Sequence, residues 1–102
     1  MPRLSTKTYK LTPDLIKKAR LLAIAGDPTR IRILCFMFEN KKACVSDIAE
    51  AVGMTISAIS HHLQIMRDNG LFETKREGNM ICYILVKNTH IERLENIICE
   101  NS

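Results

Sequence analysis

A stretch near the middle of the chain, AVGMTISAISHHLQIMRDNG, constrains the fold more than any other. Within it Ile59, Leu63 and Met66 recur at four- and three-residue spacing, which predicts a helix with one buried stripe. Thr55 precedes this stripe and is one of the residue types that cap helix N-termini. Gly70 follows it, where a left-handed residue commonly ends a helix. The sequence therefore predicts one helix between Thr55 and Gly70.

The opposite face of this helix carries hydroxyls, an amide and an imidazole, with little negative charge. Such groups can reach phosphates and the edges of bases in a DNA major groove. The candidate base-contacting residues are Thr55, Ser57, Ser60, His61 and Gln64. Residues 46–51 predict a shorter helix just upstream, and Gly53 provides the turn between the two. This is the pattern of a helix-turn-helix, and the alternative is an ordinary pair of core helices.

Two further helices are predicted upstream, each opened by a capping residue followed by proline. The first covers residues 12–24, and its apolar stripe is Leu15, Ala19, Leu22 and Ala23. The second covers residues 27–39, and its apolar stripe is Ile31, Leu34, Cys35 and Phe38. Cys35 is therefore expected on a core-facing side. Residues 40–42 are interpreted as a turn.

Downstream, residues 71–75 and 80–86 are two β-favouring runs separated by a polar, glycine-containing tip at 76–79, which predicts a hairpin. Thr89 and Glu92 have the spacing of a capping box and open a last helix. Its stripe is Ile91, Leu94 and Ile98. The predicted fold class is mainly α with a small β-hairpin, in the order α-α-α-α-β-β-α: a winged helix-turn-helix.

The 102 residues are expected to form one domain, with residues 1–11 as a basic arm. Net charge is +4, and residues 1–20 hold six basic residues against one acidic residue, which suits a nucleic-acid partner. No apolar run approaches the roughly 20 residues needed to cross a bilayer, and the N-terminus lacks an apolar signal core. We therefore expect a cytoplasmic protein without a membrane partner, in which the four cysteines are reduced.

Several runs of residues resemble the ArsR/SmtB family of repressors. The run AGDPTRIRIL at 25–34 is similar to the opening of that family's motif, and the runs at 46–49, 57–63 and 71–78 follow its pattern. The resemblance covers residues 20–100. It implies a homodimeric repressor that leaves double-stranded operator DNA when an inducer binds, with a dimer interface built from the first and last helices.

At two positions expected to contact DNA, the sequence departs from the family pattern. Ile56 stands where many members have Gln, and it is interpreted as packing against the preceding helix, with a thymine methyl contact as the alternative. Asn79 stands at the wing tip, where Arg is common. The wing keeps Lys75 and Arg76 as expected phosphate contacts. Lys75, Arg76 and Asn79 therefore complete the candidate DNA-binding set.

Family members bind metal ions at places that can be compared with this sequence. At the start of the third helix the chain has Cys44-Val45-Ser46-Asp47, so one thiol and one carboxylate of the family site remain. In the last helix only His90 matches. We therefore predict no metal site and no cofactor, with a metal-responsive repressor using Cys44 and Asp47 as the alternative. Cys44 is expected to be a plain thiol and Cys82 a packing residue.

Cys35 and Cys99 resemble the cysteine pair of the BigR-, SqrR- and HlyU-like branch of the family. The resemblance implies that they react with persulfides or oxidants, and that the resulting cross-link lowers operator affinity. The inducer is then a reactive sulfur species or an oxidant. Cys35 could instead act as a small buried hydrophobe.

Other function classes receive little support from the sequence. His61 and His62 are adjacent and point about 100° apart on a helix, so they cannot form a metal pair. No nucleophile-base pairing or phosphate-binding loop is visible, and we do not expect an enzyme. A winged-helix protein-interaction module is the more distant alternative.

Overall fold

The computed structural model describes residue 4 and residues 6–99. In this part of the chain the elements are α1 (Pro13–Ala25), α2 (Pro28–Asn40), β1 (Lys42–Cys44), α3 (Val45–Val52), α4 (Ile56–Asp68), β2 (Phe72–Glu77), β3 (Met80–Leu85) and α5 (Thr89–Ile98). Apart from β1 this is the predicted order, and the architecture is a winged helix-turn-helix. Of the expected basic arm, residues 1–3 and 5 lie outside the described residues.

The core is centred on α4. Its apolar stripe of Ile59, Leu63 and Met66 is 0% exposed, as the spacing predicts, and α4 lies against α3 and β2. The core side chains without exposed surface are Ile33, Leu34, Met37, Ile48, Ile59, Leu63, Met66 and Leu71. Because these side chains come from three helices, α2, α3 and α4, and from the residue before β2, one aliphatic core connects the helix-turn-helix to the wing.

Both ends of α4 are formed by the residues that the sequence predicts. The Thr55 side chain accepts a hydrogen bond from the backbone N–H of Ala58 at 3.2 Å, which caps the N-terminus. After the last turn Gly70 has φ +85°, and the backbone N–H of Leu71 donates to the carbonyl of Met66. This Schellman arrangement satisfies the last carbonyls and turns the chain into β2.

The predicted apolar faces of α1 and α2 differ from the observed ones. In α2, Ile33 and Met37 are fully buried, whereas Ile31 and Cys35 are only half-buried. Apolar residues occupy so many positions of α2 that their spacing does not fix the phase of the helix. Cys35 consequently lies at the edge of the core, on the side of α2 that meets α5.

The predicted stripe of α1 is exposed in the protomer. Leu15 is 45% and Leu22 60% exposed, whereas the buried residues of α1 cluster at its C-terminal end. Among the helices α1 has its main contact with α2. Its apolar stripe therefore remains on the surface, together with Ile97 of α5, which is 70% exposed.

The sheet contains a strand that the sequence analysis missed. β1 pairs antiparallel with β3, which also pairs antiparallel with β2, so the strand order is β1-β3-β2. The expected turn at 40–42 is reduced to Lys41, which has φ 67°, because Asn40 is the last residue of α2 and Lys42 begins β1. A three-residue strand followed directly by a helix is too short for an alternating pattern to reveal.

Two smaller boundaries also differ from the prediction. The N-cap of α5 is Asn88, whose Oδ1 accepts from the backbone N–H of Ile91 at 3.0 Å, so the predicted cap Thr89 is instead the first helical residue. The strand β2 extends to Glu77, which places Arg76 on the strand rather than in the tip. Within the described residues, no helix has both the length and the apolar character that crossing a membrane requires.

Candidate DNA-binding face and cysteine pairs

The face of α4 that points away from the core is polar. Ser57, His61 and Gln64 are exposed and lie on the side opposite the buried stripe, and Ser60 is half-buried at the border. The Thr55 hydroxyl accepts the capping hydrogen bond, so Thr55 lies at the N-terminal end of this face. The structure thus brings the candidate α4 residues together on one accessible surface of the helix.

The tip of the wing lies beside the start of α4. Ser60 and Asn79 line one cleft between α3, α4 and the tip of the hairpin. Lys75 and Arg76 are exposed on β2, and Arg76 Nε donates to the carbonyl of Gly78 at 3.4 Å. The tip of the wing and the first turns of α4 therefore face each other across this cleft.

Ile56 also lines this cleft, and the interpretation that it packs away against α3 is wrong for most of its surface. Its side chain is 55% exposed, and Met80 and Ile81 of β3 beside it are 42% and 40% exposed. The first turn of α4 and the wing thus share an apolar patch next to polar groups. The exposed side chain of Ile56 is therefore accessible for the alternative that the sequence left, an apolar contact with a thymine methyl group.

Sequence analysis missed two arginine contacts that position α4 and the turn before it. Arg30 Nε donates to Nδ1 of His62 at 3.3 Å, which ties the start of α2 to the middle of α4. Arg32 Nη1 donates to the carbonyl of Val52 at 3.2 Å, at the end of α3. Both pairs join distant parts of the chain, so no local spacing predicts them, although the run DPTRIR contains both arginines.

Cys35 and Cys99 meet where α2 packs against α5. Their Sγ atoms are 3.9 Å apart, with the Cys99 thiol as hydrogen-bond donor. Both cysteines are free and half-buried, and Cys99 directly follows the last residue of α5. The structure therefore brings together the two cysteines that the resemblance singles out.

The surroundings of this pair disfavour ionisation of Cys99. Burial raises the pKa of the Cys99 thiol, and contact with Cys35 and the negative charges of Glu95 and Glu39 raise it further. An open cleft with a volume of about 450 Å³ lies beside the pair and is lined by these two carboxylates and Phe38. Small reagents can therefore reach the two sulfurs from solvent.

Cys44 and Cys82 form a second pair, contrary to the expectation of a plain thiol and a packing residue. They are opposite one another on β1 and β3 and are joined by a disulfide. Cys44 is half-buried and also the N-cap residue of α3, whereas Cys82 is fully buried. The pairing depends on β1, so it could not be found before that strand was known.

The other expected metal ligands have structural partners. A carboxylate oxygen of Asp47 accepts from the backbone N–H of Cys44 at 3.4 Å, closing a capping box at α3. His90 Nε2 lies 3.5 Å from a carboxylate oxygen of Asp14 on α1. Among the described residues, the group that could hold a metal ion is Cys44, Glu77 and Cys82, so neither family site is assembled in its expected form.

A helix-turn-helix with a polar second helix and a basic wing defines a class of DNA-binding regulators. The chain belongs to the arsR family of bacterial regulatory proteins, whose family model matches residues 27–74. Over 97 residues it is 30% identical to the HTH-type transcriptional regulator YgaV of Escherichia coli, covering 92% of this chain and 98% of that protein.

Solved structures agree with this assignment. HlyU from Vibrio cholerae superposes with a TM-score of 0.75 at 27% identity, covering 87% of this chain and 99% of that chain. A homodimeric winged helix-turn-helix DNA-binding domain from Mycobacterium bovis gives a TM-score of 0.74 at 25% identity, covering 95% of this chain and 88% of that chain. The fold and the family therefore agree.

The charge of Glu95 supplies a test of the environment of Cys99. Replacing Glu95→Gln removes one of the negative charges that raise the pKa of Cys99, so the pKa should fall and Cys99 should react faster with an alkylating reagent at a given pH. The measurement is the pH profile of iodoacetamide labelling of Cys99, followed by peptide mass analysis. Glu92→Gln on the same helix is the matched control and should leave the profile unchanged. An unshifted Glu95→Gln profile would contradict this electrostatic account.

Proposed function

We propose that this regulator is a homodimeric transcriptional repressor whose operator affinity falls when Cys35 and Cys99 become cross-linked by a reactive sulfur species or an oxidant. The observation that carries the proposal is the 3.9 Å separation of the two Sγ atoms between α2 and α5. A direct disulfide requires the sulfurs to approach by roughly 2 Å more, whereas a bridge with additional sulfur needs less movement.

The chemistry assigns different roles to the two thiols. The raised pKa of Cys99, caused first by burial and then by its contact with Cys35 and the nearby carboxylates, disfavours Cys99 as the first nucleophile, so Cys35 takes the role of the attacking thiolate in this proposal. Its attack on an organic persulfide transfers one sulfur, giving a Cys35 persulfide and releasing a thiol. Cys99 then attacks the inner sulfur, which forms the disulfide and expels hydrogen sulfide. If both cysteines carry a persulfide, condensation releases hydrogen sulfide and leaves a trisulfide.

An oxidant reaches the same end point by another route. A peroxide oxidises the Cys35 thiolate to a sulfenic acid and is itself reduced to water or an alcohol. Cys99 condenses with the sulfenic acid to form the disulfide, and this step releases one water molecule. The open cleft beside the pair admits either type of reagent.

The position of the pair suggests how a cross-link affects DNA binding. α1 and α5 expose Leu22 and Ile97, which flank an apolar groove between the two helices. A second copy of the chain would cover this groove, in agreement with the homodimeric neighbour from Mycobacterium bovis. Pulling the end of α5 toward α2 would shift this interface and change the spacing of the two α4 helices on the operator.

The proposed DNA contacts divide into two kinds. Ser57, Ser60, His61 and Gln64, with Thr55 at the N-terminal end, face base edges, while Lys75 and Arg76 face phosphates and Asn79 lies at the wing tip. This division follows from the side chains, since Arg and Lys on the wing can neutralise phosphate charge and the α4 face presents hydrogen-bonding groups at the position of a recognition helix. A protein-interaction module would need neither feature.

The double variant Lys75→Ala/Arg76→Ala tests the phosphate contacts. We expect weaker binding to every duplex, and a slope of log affinity against log salt that decreases by about one for each phosphate contact removed. The measurement is fluorescence anisotropy at several salt concentrations, on a random duplex and on a duplex that the protein selects from a random library. Gln64→Ala should weaken only the selected duplex, and Lys87→Ala, at the base of the wing, is the control. Equal salt slopes for the double variant and the wild type would rule out the phosphate role.

Peptide mapping tests the cross-link. Trypsin is expected to place the four cysteines in separate peptides, residues 33–41, 43–67, 77–87 and 94–102. After treatment of reduced protein with a persulfide donor, the 33–41 and 94–102 peptides should be detected under non-reducing conditions as one cross-linked species, with or without added sulfur. Reduction should separate this species into the two peptides. Cys35→Ser should abolish this species, whereas Cys44→Ser should retain it. If both peptides stay unlinked in the wild type, the mechanism is wrong.

A further inference from the structure

The strand pairing brings three ligand-type side chains to one place at the base of the wing. Cys44 on β1 and Cys82 on β3 are directly opposite each other, and the carboxylate of Glu77 at the end of β2 lies 3.7 Å from the Cys82 sulfur. The ligand atoms of all three residues lie within 4.8 Å of one another. The two sulfurs are joined in a disulfide here, and after reduction they would have to separate to about 3.8 Å, the spacing of two thiolates that bind one tetrahedral zinc ion at about 2.3 Å.

Cys82 is fully buried on the face of β3 opposite the hydrophobic core cluster. It is 0% exposed, yet it lies outside the hydrophobic core cluster. Tyr83 and Leu85 on the same strand belong to that cluster. Because adjacent side chains alternate between the faces of a strand, Cys82 points to the opposite face, where Cys44 and Glu77 surround its sulfur.

We propose that Cys44, Glu77 and Cys82, with both cysteines reduced, form a binding site for a thiophilic divalent cation such as Zn²⁺ or Cd²⁺. Two thiolates and one carboxylate supply three ligands of a tetrahedral site, and solvent takes the fourth position. The ligands come from all three strands of the sheet. An occupied site would therefore connect the N-cap of α3 to both strands of the wing.

The disulfide and the cation exclude each other at this site. Reduction by two equivalents of a thiol, which are themselves oxidised to a disulfide, converts the Cys44–Cys82 disulfide into two thiols. Binding of the cation then releases the two thiol protons. Lys42, whose ammonium group pairs with Glu77, offsets the negative charge that two thiolates and a carboxylate leave on the bound ion.

This site differs from the family sites compared with the sequence. It shares Cys44 with the site at the third helix, but its other ligands come from the wing, and Asp47 remains a helix cap. It is also independent of the Cys35–Cys99 pair, which lies between α2 and α5. The site could therefore exist whether or not the proposed sulfur chemistry operates.

The test uses full-length protein with Cys35→Ala/Cys99→Ala as the background, so that the remaining thiols are those of the proposed site. The protein is reduced with a phosphine, desalted without oxygen and titrated with cadmium chloride. The readout is the ultraviolet charge-transfer band from thiolate to Cd²⁺. We expect saturation at one equivalent per protomer, with an intensity that corresponds to two thiolates, and no band in protein in which the disulfide has been left intact.

Three variants in this background identify the ligands. Cys44→Ser should weaken Cd²⁺ binding by more than about 100-fold, which exceeds the loss expected when a residue that only hydrogen-bonds to a metal ligand is replaced. Serine is itself a good N-cap residue, so α3 should remain capped. Glu77→Gln should weaken binding less and leave the two-thiolate band intact, and Asp47→Asn is the control that should bind as the background does. Far-ultraviolet circular dichroism checks that each variant is folded. Absence of the band in the reduced background, or unchanged affinity in folded Cys44→Ser, would overturn the proposal.

Discussion

The complete burial of one face of α4 is the constraint on which the other features of the domain depend. Ile59, Leu63 and Met66 fix the rotation of this helix against α3 and β2. Since these side chains occupy one stripe, the polar residues of α4 must face outward. The Schellman turn at Gly70 then directs the chain into the wing. The orientation of the candidate DNA-binding face is therefore a consequence of how the core packs.

The two cysteine pairs lie on different sides of this framework and have different chemistry. Cys35 and Cys99 are separate thiols between α2 and α5, and burial, contact with Cys35 and the nearby carboxylates raise the pKa of Cys99. Cys44 and Cys82 join β1 to β3 beneath the wing. The first pair lies at the end of α5, whose other side borders the apolar groove with α1, and the second connects the N-cap residue of α3 to the wing strand β3.

Local patterns in the sequence were sufficient for the helix-turn-helix, the hairpin and the last helix, because caps, glycines and periodic apolar residues act over a few positions. The phase of α2 was not predictable, because its apolar residues fit more than one face. The Cys44–Cys82 pair and the Arg30–His62 contact depend on pairings 38 and 32 residues apart, and no local signal reports them. The Cys35–Cys99 pair came from family resemblance, not from spacing, and the structure supplies its distance.

The measurement that tests the account most directly is operator release by a persulfide donor. The reduced wild type, Cys35→Ala, Cys99→Ala and Cys44→Ser would be compared by fluorescence anisotropy on one duplex that the protein selects, before and after treatment. The account predicts that the wild type and Cys44→Ser lose affinity by about 5–150-fold, the range of typical allosteric coupling, and regain it on reduction, while both alanine variants stay bound. Equal release of Cys35→Ala, or full binding by cross-linked wild type, would contradict it.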